Sequence, residues 1–173
     1  TDTTVRERLL VTLSALQKWA QTHNKNPLVS ACERYANDTQ SGTTHTLPGP
    51  TGERNAYTLA PRATVLCVAH TPDDLLVQTA AVLAVGGVAL WPTNQASLRT
   101  QLPPAVQARI TLQDNTLSDS TLELEAVLHH GERSSLQAVC AALASRPGPI
   151  VGVTAMQPGA VDIPLERLLI ERA

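Results

Sequence analysis

Few residues in this 173-residue chain have the type and spacing that chemistry demands. His129 and His130 stand side by side and invite a metal reading. Neighbouring residues of a strand point to opposite faces, however, so the two rings cannot chelate one ion in regular geometry, and a structural or edge role follows. His70 is better placed, just beyond an apolar run, but the sequence offers it no identifiable acid or nucleophile partner. Cys32, Cys67 and Cys140 form an odd, widely spaced set that fits neither a metal-ligand pattern nor a disulfide framework. Cys67 falls inside an apolar strand and Cys140 on the expected buried face of a helix, whereas a reactive thiolate needs an electropositive, reachable setting. No catalytic, cofactor-binding or metal-binding residue is assigned on these grounds. What remains is Glu53-Arg54-Asn55, a carboxylate, a forked guanidinium and an amide on a segment framed by Pro48, Gly49, Pro50 and Gly52. Surface charges usually contribute little, but this stiff frame holds the three in fixed geometry and makes Glu53, Arg54 and Asn55 candidates for docking.

Phosphate chemistry is missing. There is no G-x-G-x-x-G, no G-x-x-x-x-G-K-[ST], and no glycine-rich turn between the first strand and its helix. Ligands of wound sheets gather beyond the carboxyl ends of the strands, here Ala69-His70-Thr71 and Trp91-Pro92-Thr93-Asn94. The helix that follows Thr71 could attract an anion at its start, yet Asp73 and Asp74 already occupy that positive end.

The elements that position these residues follow from periodicity. Val5, Leu9, Leu13, Leu16 and Ala20 recur at steps of four and three, and Thr4-Val5-Arg6-Glu7 fits a capping box, so residues 4–22 are predicted as an amphipathic helix. Asn26-Pro27 starts a shorter one with Leu28, Cys32 and Tyr35 turned inward. Residues 37–46 carry almost nothing to bury and read as a mobile connection, and Leu47–Arg62 as an ordered loop feeding a sheet. Thr64–Ala69 is a continuous apolar run, as in a strand covered on both faces. Thr71-Pro72-Asp73-Asp74 opens a helix that Gly86-Gly87 closes. Strands are predicted at Val88–Trp91, Arg109–Leu112, Leu124–Leu128 and Ile150–Thr154, with helices at Gln95–Gln101 and Ser134–Ala144. Leu165–Ile170 fits a strand or a helix equally well. Such alternation means an α/β fold with a mostly parallel, doubly wound sheet.

Composition narrows the function classes. A 43% hydrophobic content can build a core, but the chain has no Phe, two Trp and two Tyr, so grooves of stacked aromatics as in single-strand nucleic-acid binders are not expected. A formal charge of −2 with scattered Lys and Arg supplies no basic field for nucleic acid. The apolar runs are far shorter than a membrane span, the start is no signal peptide, and three unpaired cysteines suit a reducing cytoplasm. Without an initiator Met, and ending on Glu171-Arg172-Ala173, the chain reads as a piece of something longer.

Leu47-Pro48-Gly49-Pro50-Thr51-Gly52-Glu53-Arg54-Asn55 closely resembles the entry to the C-terminal domain of the long proline utilization A enzymes. Leu165-Glu166-Arg167-Leu168-Leu169-Ile170-Glu171-Arg172-Ala173 resembles that family's closing segment. The resemblance implies a Rossmann-like sheet similar to the nucleotide-binding domain of aldehyde dehydrogenases, over residues 47–173 and truncated at its C-terminus, with residues 1–46 as a helical annex and connection. It also implies a bifunctional cytoplasmic parent that oxidises proline to glutamate through an FAD-dependent proline dehydrogenase and an NAD-dependent glutamate-semialdehyde dehydrogenase. Peripheral association of that parent with the inner membrane stays an open alternative. Active aldehyde dehydrogenases carry Pro-Trp-Asn after the first strand and Lys-Pro-Ser-Glu after the second, where this chain has Ala69-His70-Thr71 and Trp91-Pro92-Thr93-Asn94. Without that Lys and Glu the adenosine ribose loses its charged partners, and Trp91 is expected in the groove. The chain is thus expected to be a non-catalytic structural and interaction domain without a cofactor of its own. It would cover the aldehyde site and an intermediate tunnel, with its parent's dehydrogenase domains as partners and homo-oligomerisation open. A working NAD-binding or regulatory nucleotide module is the alternative.

Overall fold

The computed structural model describes residues 3–173. Five parallel strands form the main sheet: β3 (Thr64–Val68), β4 (Val88–Trp91), β5 (Ile110–Leu112), β6 (Ala126–His130) and β7 (Gly152–Met156), in the order β5-β4-β3-β6-β7. The order reverses at β3, which pairs with β4 on one side and β6 on the other, so the sheet is doubly wound as expected. A second, antiparallel sheet was not foreseen. Its strands β1 (Thr44–Leu47), β2 (Asn55–Pro61) and β8 (Leu169–Arg172) lie in the order β1-β2-β8. Leu165–Ile170 resolves into both alternatives: a 3-10 turn over Leu165–Leu168, then a strand whose Leu169 pairs with Pro61.

The helices cover the main sheet unequally. On the first face α3 (Pro72–Val85) lies against the strands, and α1 (Thr3–Thr22) and α2 (Asn26–Asp38) lie over α3, all in one core with Val65, Cys67, Ala89, Trp91 and Leu128. Leu13, Leu16 and Ala20 of α1 are buried as the periodicity requires, while Val5 lies outside the described side chains. The Thr4–Glu7 segment lies within α1 rather than capping it. In α3 every residue from Asp74 to Val85 is buried, because strands lie beneath it and two helices above. Its ends are built as read: the Thr71 hydroxyl accepts the Asp74 amide, and Gly86 takes the left-handed C-cap at φ 88°.

The second face carries a smaller core of Leu66, Leu90, Leu124, Val127 and Val139, covered by α6 (Arg133–Ala144) and the 113–125 segment. Cys140 is exposed, correcting the expectation that it sits on a buried face; Val139 is the buried residue of α6. The predicted strands near Leu124 and Ile150 start two residues later, at Ala126 and Gly152, and Ile150 is fully exposed. The Gln95–Gln101 helix forms as a 3-10 turn, Thr93–Gln95, followed by α4 (Ala96–Gln101), and an unforeseen α5 (Pro104–Gln107) starts on the proline pair.

Residues 37–46 bury more than their polarity suggested. Thr39 and Ser41 are almost fully buried, and their hydroxyls donate to the Ala84 and Val85 carbonyls at the end of α3. A polar pair is what the orphan carbonyls of a buried helix end require. Leu47–Arg62 is largely a hairpin, β1 and β2 joined at Pro48–Arg54.

Candidate functional site

The carboxyl ends of β3 and β6 flank the point where strand order reverses, the crevice in which such sheets hold ligands. His129 and His130, at the end of β6, do point to opposite faces, but β6 is an interior strand, so the edge role is corrected to a buried one. On the first face the Gln78 amide nitrogen, from α3, donates to the Val68 carbonyl and to His130 Nδ1, both at 2.8 Å. That leaves the His130 proton on Nε2, which donates to the Ala160 carbonyl at 2.7 Å. The nearly buried Asp74 carboxylate lies 4.0 Å from the same nitrogen and accepts the Gly159 amide at 3.1 and 3.3 Å.

Gly159 and Ala160 belong to the segment after β7, residues 157–164, which α2 also grips. Tyr35 donates its hydroxyl to the Val161 carbonyl and accepts the Ile163 amide, while Arg34 donates to Val161 O at 2.8 Å and pairs with Asp162 at 2.6 Å. Burial, first among the causes, pushes the Tyr35 phenol up to about 12, so it stays a donor. Four side chains from three elements thus hold this segment at the positive end of α3. A pyrophosphate brought there would meet the Asp74 carboxylate, an Asp73 already paired with Lys25 at 2.9 Å, and a chain segment already bonded to the helix start. Sequence reading missed this latch; Asp74 looked only like a first-turn acid, and its partner lies 85 residues away.

On the second face His129 Nε2 lies 2.9 Å from Ser135 Oγ, and buried Nδ1 has no partner. The exposed His70 ring stands edge-on to His129, their centroids 6.5 Å apart. Burial, then the neighbouring His70 and His130, hold the His129 pKa below the ordinary imidazole value, so the ring is neutral at pH 7. Between the two rings sits Gly131, where a Cβ would come within 2.9 Å of His70 Nε2. No His, Cys, Asp or Glu cluster among the described residues could hold a metal ion.

At the end of β4, Trp91 is fully buried and donates Nε1 to the Thr79 hydroxyl of α3 at 3.0 Å, so it fills the core and not the groove. Asp114 accepts the Thr93 amide and hydroxyl, bonds that lower its pKa and occupy the acid available on this side. Burial raises the thiol pKa of Cys67 strongly and that of Cys32 to about 12, leaving both as protonated core residues.

Glu53, Arg54 and Asn55 lie exposed at the hairpin tip, and among the described residues their side chains make no ion pair or hydrogen bond within the chain. The structure therefore does not bring them to the crevice residues.

No family model matches the chain. It is 43% identical to the bifunctional protein PutA of Escherichia coli K12 over an alignment of 174 positions that covers 99% of this chain. The chain is homologous to a segment of PutA. It spans 13% of that PutA's length. Among solved structures, proline utilization A of Bradyrhizobium japonicum superposes with a TM-score of 0.63 at 18% identity, over 86% of this chain and 20% of that one. Staphylococcus aureus AldH superposes with a TM-score of 0.67 at 14% identity, over 91% of this chain and 42% of that one. At those identities the superpositions show the fold alone, and it is the aldehyde dehydrogenase fold. No helix among the described residues is long and apolar enough to cross a membrane.

Proposed function

We propose that this PutA-like chain is a non-catalytic structural and interaction domain of a bifunctional cytoplasmic enzyme that oxidises proline to glutamate. It corresponds to the C-terminal part of that enzyme and covers the aldehyde dehydrogenase site and the tunnel carrying the intermediate, while FAD and NAD act elsewhere in the polypeptide. One observation supports this most: the segment at residues 157–164 is bonded into the start of α3, through Asp74, where a nucleotide phosphate would sit. The residues do not fit a dinucleotide, since the Asp74 carboxylate, already holding the Gly159 amide, repels its phosphates and no glycine turn lets the backbone approach them. Glu53, Arg54 and Asn55, free and held on a stiff hairpin tip, are proposed to dock onto the dehydrogenase domains.

A second reading, an NAD or regulatory nucleotide module, draws on α6. Its start has no side-chain cap, and His129 Nδ1 nearby is buried without a partner. Calorimetric titration of the chain with NAD separates the two readings. Absence of saturable heat up to millimolar NAD is expected; saturation in the sub-millimolar range favours the nucleotide module.

A further inference from the structure

The Asp74 carboxylate that turns a phosphate away also lines a cleft of about 320 Å³. Four segments build it: the turn between α1 and α2, the start of α2, the start of α3, and residues 159 and 161 of the segment after β7. The floor is apolar, with Leu28, Leu76 and Val77 buried and Val161 half-buried. His23, Asn24 and Lys25 make a polar mouth. Its backbone is set, because Asn24 takes φ 55° and the Lys25 amide reaches back to the Ala20 carbonyl at 2.9 Å, closing α1. An apolar hollow with a few convergent polar groups is the form that small-molecule sites take.

Charge decides what fits there. Lys25 pairs with Asp73 across the mouth at 2.9 Å, so those two cancel. Asp74 is left over. It is 5% exposed, and among the described residues its carboxylate accepts from a single donor, the Gly159 amide, shared between both oxygens at 3.1 and 3.3 Å. His130 stands 4.0 Å away, accepts from Gln78 at Nδ1 and gives its proton to the Ala160 carbonyl. A carboxylate has about four lone-pair sites, and a buried one is ordinarily matched by a cation or by several donors. The start of α3 supplies only about half a positive charge, so the cleft stays negative around Asp74. A bare metal ion is poorly served, since no His, Cys, Asp or Glu cluster among the described residues could hold one. An organic cation with a hydrocarbon body satisfies both the carboxylate and the floor.

We propose that this cleft binds a small aliphatic ammonium compound, its N–H groups donating to Asp74 and its hydrocarbon part lying on Leu28, Leu76, Val77 and Val161. The site stands or falls independently of the interaction-domain reading. Free amines and aliphatic α-amino acids share this chemistry. An amino acid differs in placing a carboxylate at the mouth, where Lys25 can turn to it from the 78%-exposed Asp73 side chain at little cost.

The test titrates the chain with n-butylammonium chloride and with L-leucine, read by heat, by Trp19 fluorescence and by the Gly159 amide resonance. Trp19 reports on the mouth because its ring stacks on His23, with centroids 4.3 Å apart. Saturable binding in the millimolar range with a shifted Gly159 resonance is expected; tighter binding of butylammonium assigns the site to amines, and tighter binding of leucine to amino acids. Asp74→Asn removes the charge but keeps an acceptor for Gly159, and should weaken binding about tenfold or more. Val161→Phe fills the cleft and should abolish binding while the Gly159 contact persists. If Asp74→Asn does not fold, Val161→Phe decides. The proposal is overturned by a response that sodium chloride reproduces, by pentanoate binding as well as butylammonium, by titrations that never saturate, or by a folded Val161→Phe that binds like wild type.

Discussion

Two proline- and glycine-bearing loops of this chain have opposite fates. The segment at residues 157–164 is pinned by Asp74, His130, Arg34 and Tyr35, whereas the hairpin tip at residues 48–55 leaves its charged side chains in water. Both are stiffened by their own backbones, so stiffness does not separate them. Buried polar partners do. The first loop lies where a helix start and buried His130 and Tyr35 need hydrogen-bond partners, and leaving such groups unpaired in the interior would cost more than ordering the loop. The second lies where nothing within the chain asks for it.

The largest expected effect breaks the latch. Tyr35→Ala removes a 2%-exposed ring and both hydroxyl contacts to the segment, and should destabilise the fold by about 3–5 kcal/mol in chemical unfolding. Tyr35→Phe keeps the ring and should cost about 1–2 kcal/mol, isolating the hydrogen bonds. If the two variants unfold alike, the polar contacts carry the segment and ring packing is minor.

Gly131→Ala tests the histidine side of the crevice. Its Cβ would press on His70 and His129, and a loss of about 1–3 kcal/mol is expected, with a displaced His70 imidazole resonance in NMR spectra. A neutral result means that the rings swing aside freely.

His129 gives the comparison a pH dependence. Its native pKa lies below the ordinary imidazole value, so between the two the unfolded chain binds more protons than the native one. Stability should be fully present above the unfolded value and decline as pH falls from about 7 through 6.5 towards the native pKa. His129→Gln should flatten that slope in urea unfolding measured at a series of pH values.

The smallest effect belongs to the hairpin tip. Arg54→Ala should change the stability of this chain by less than about 0.5 kcal/mol, because the side chain has no partner within it. In the full-length enzyme the same change should lower aldehyde oxidation or the melting temperature while sparing proline oxidation. An effect in both settings would make the tip part of this fold and not a docking element.

Much of the architecture was written locally. Thr71-Pro72-Asp73-Asp74 and Gly86 bracket α3 because caps act within one turn, and continuous apolar runs mark the parallel strands because both of their faces are covered. Opposite directions for His129 and His130 follow from strand geometry alone. The crevice itself was legible mainly through missing glycines and charged ribose partners. Its plug was not, since Asp74 and Gly159 are 85 positions apart and neither type is distinctive.

What the amino-acid order determined by itself was therefore the succession of main-sheet strands with α3 and α6 between them, the doubly wound class and the inert setting of Cys67. Tertiary packing decided the rest. It turned Trp91 inward against Thr79, gave Thr39 and Ser41 a buried helix end to satisfy, and paired β8 with β2 into a second sheet. It also left Cys140 facing outward where local pattern had put it on a buried face, and left Ile150, read as the start of a strand, exposed ahead of β7. Periodicity reports that a residue is apolar and on which side of its own element it stands; whether another element arrives to cover that side depends on contacts between distant parts of the chain.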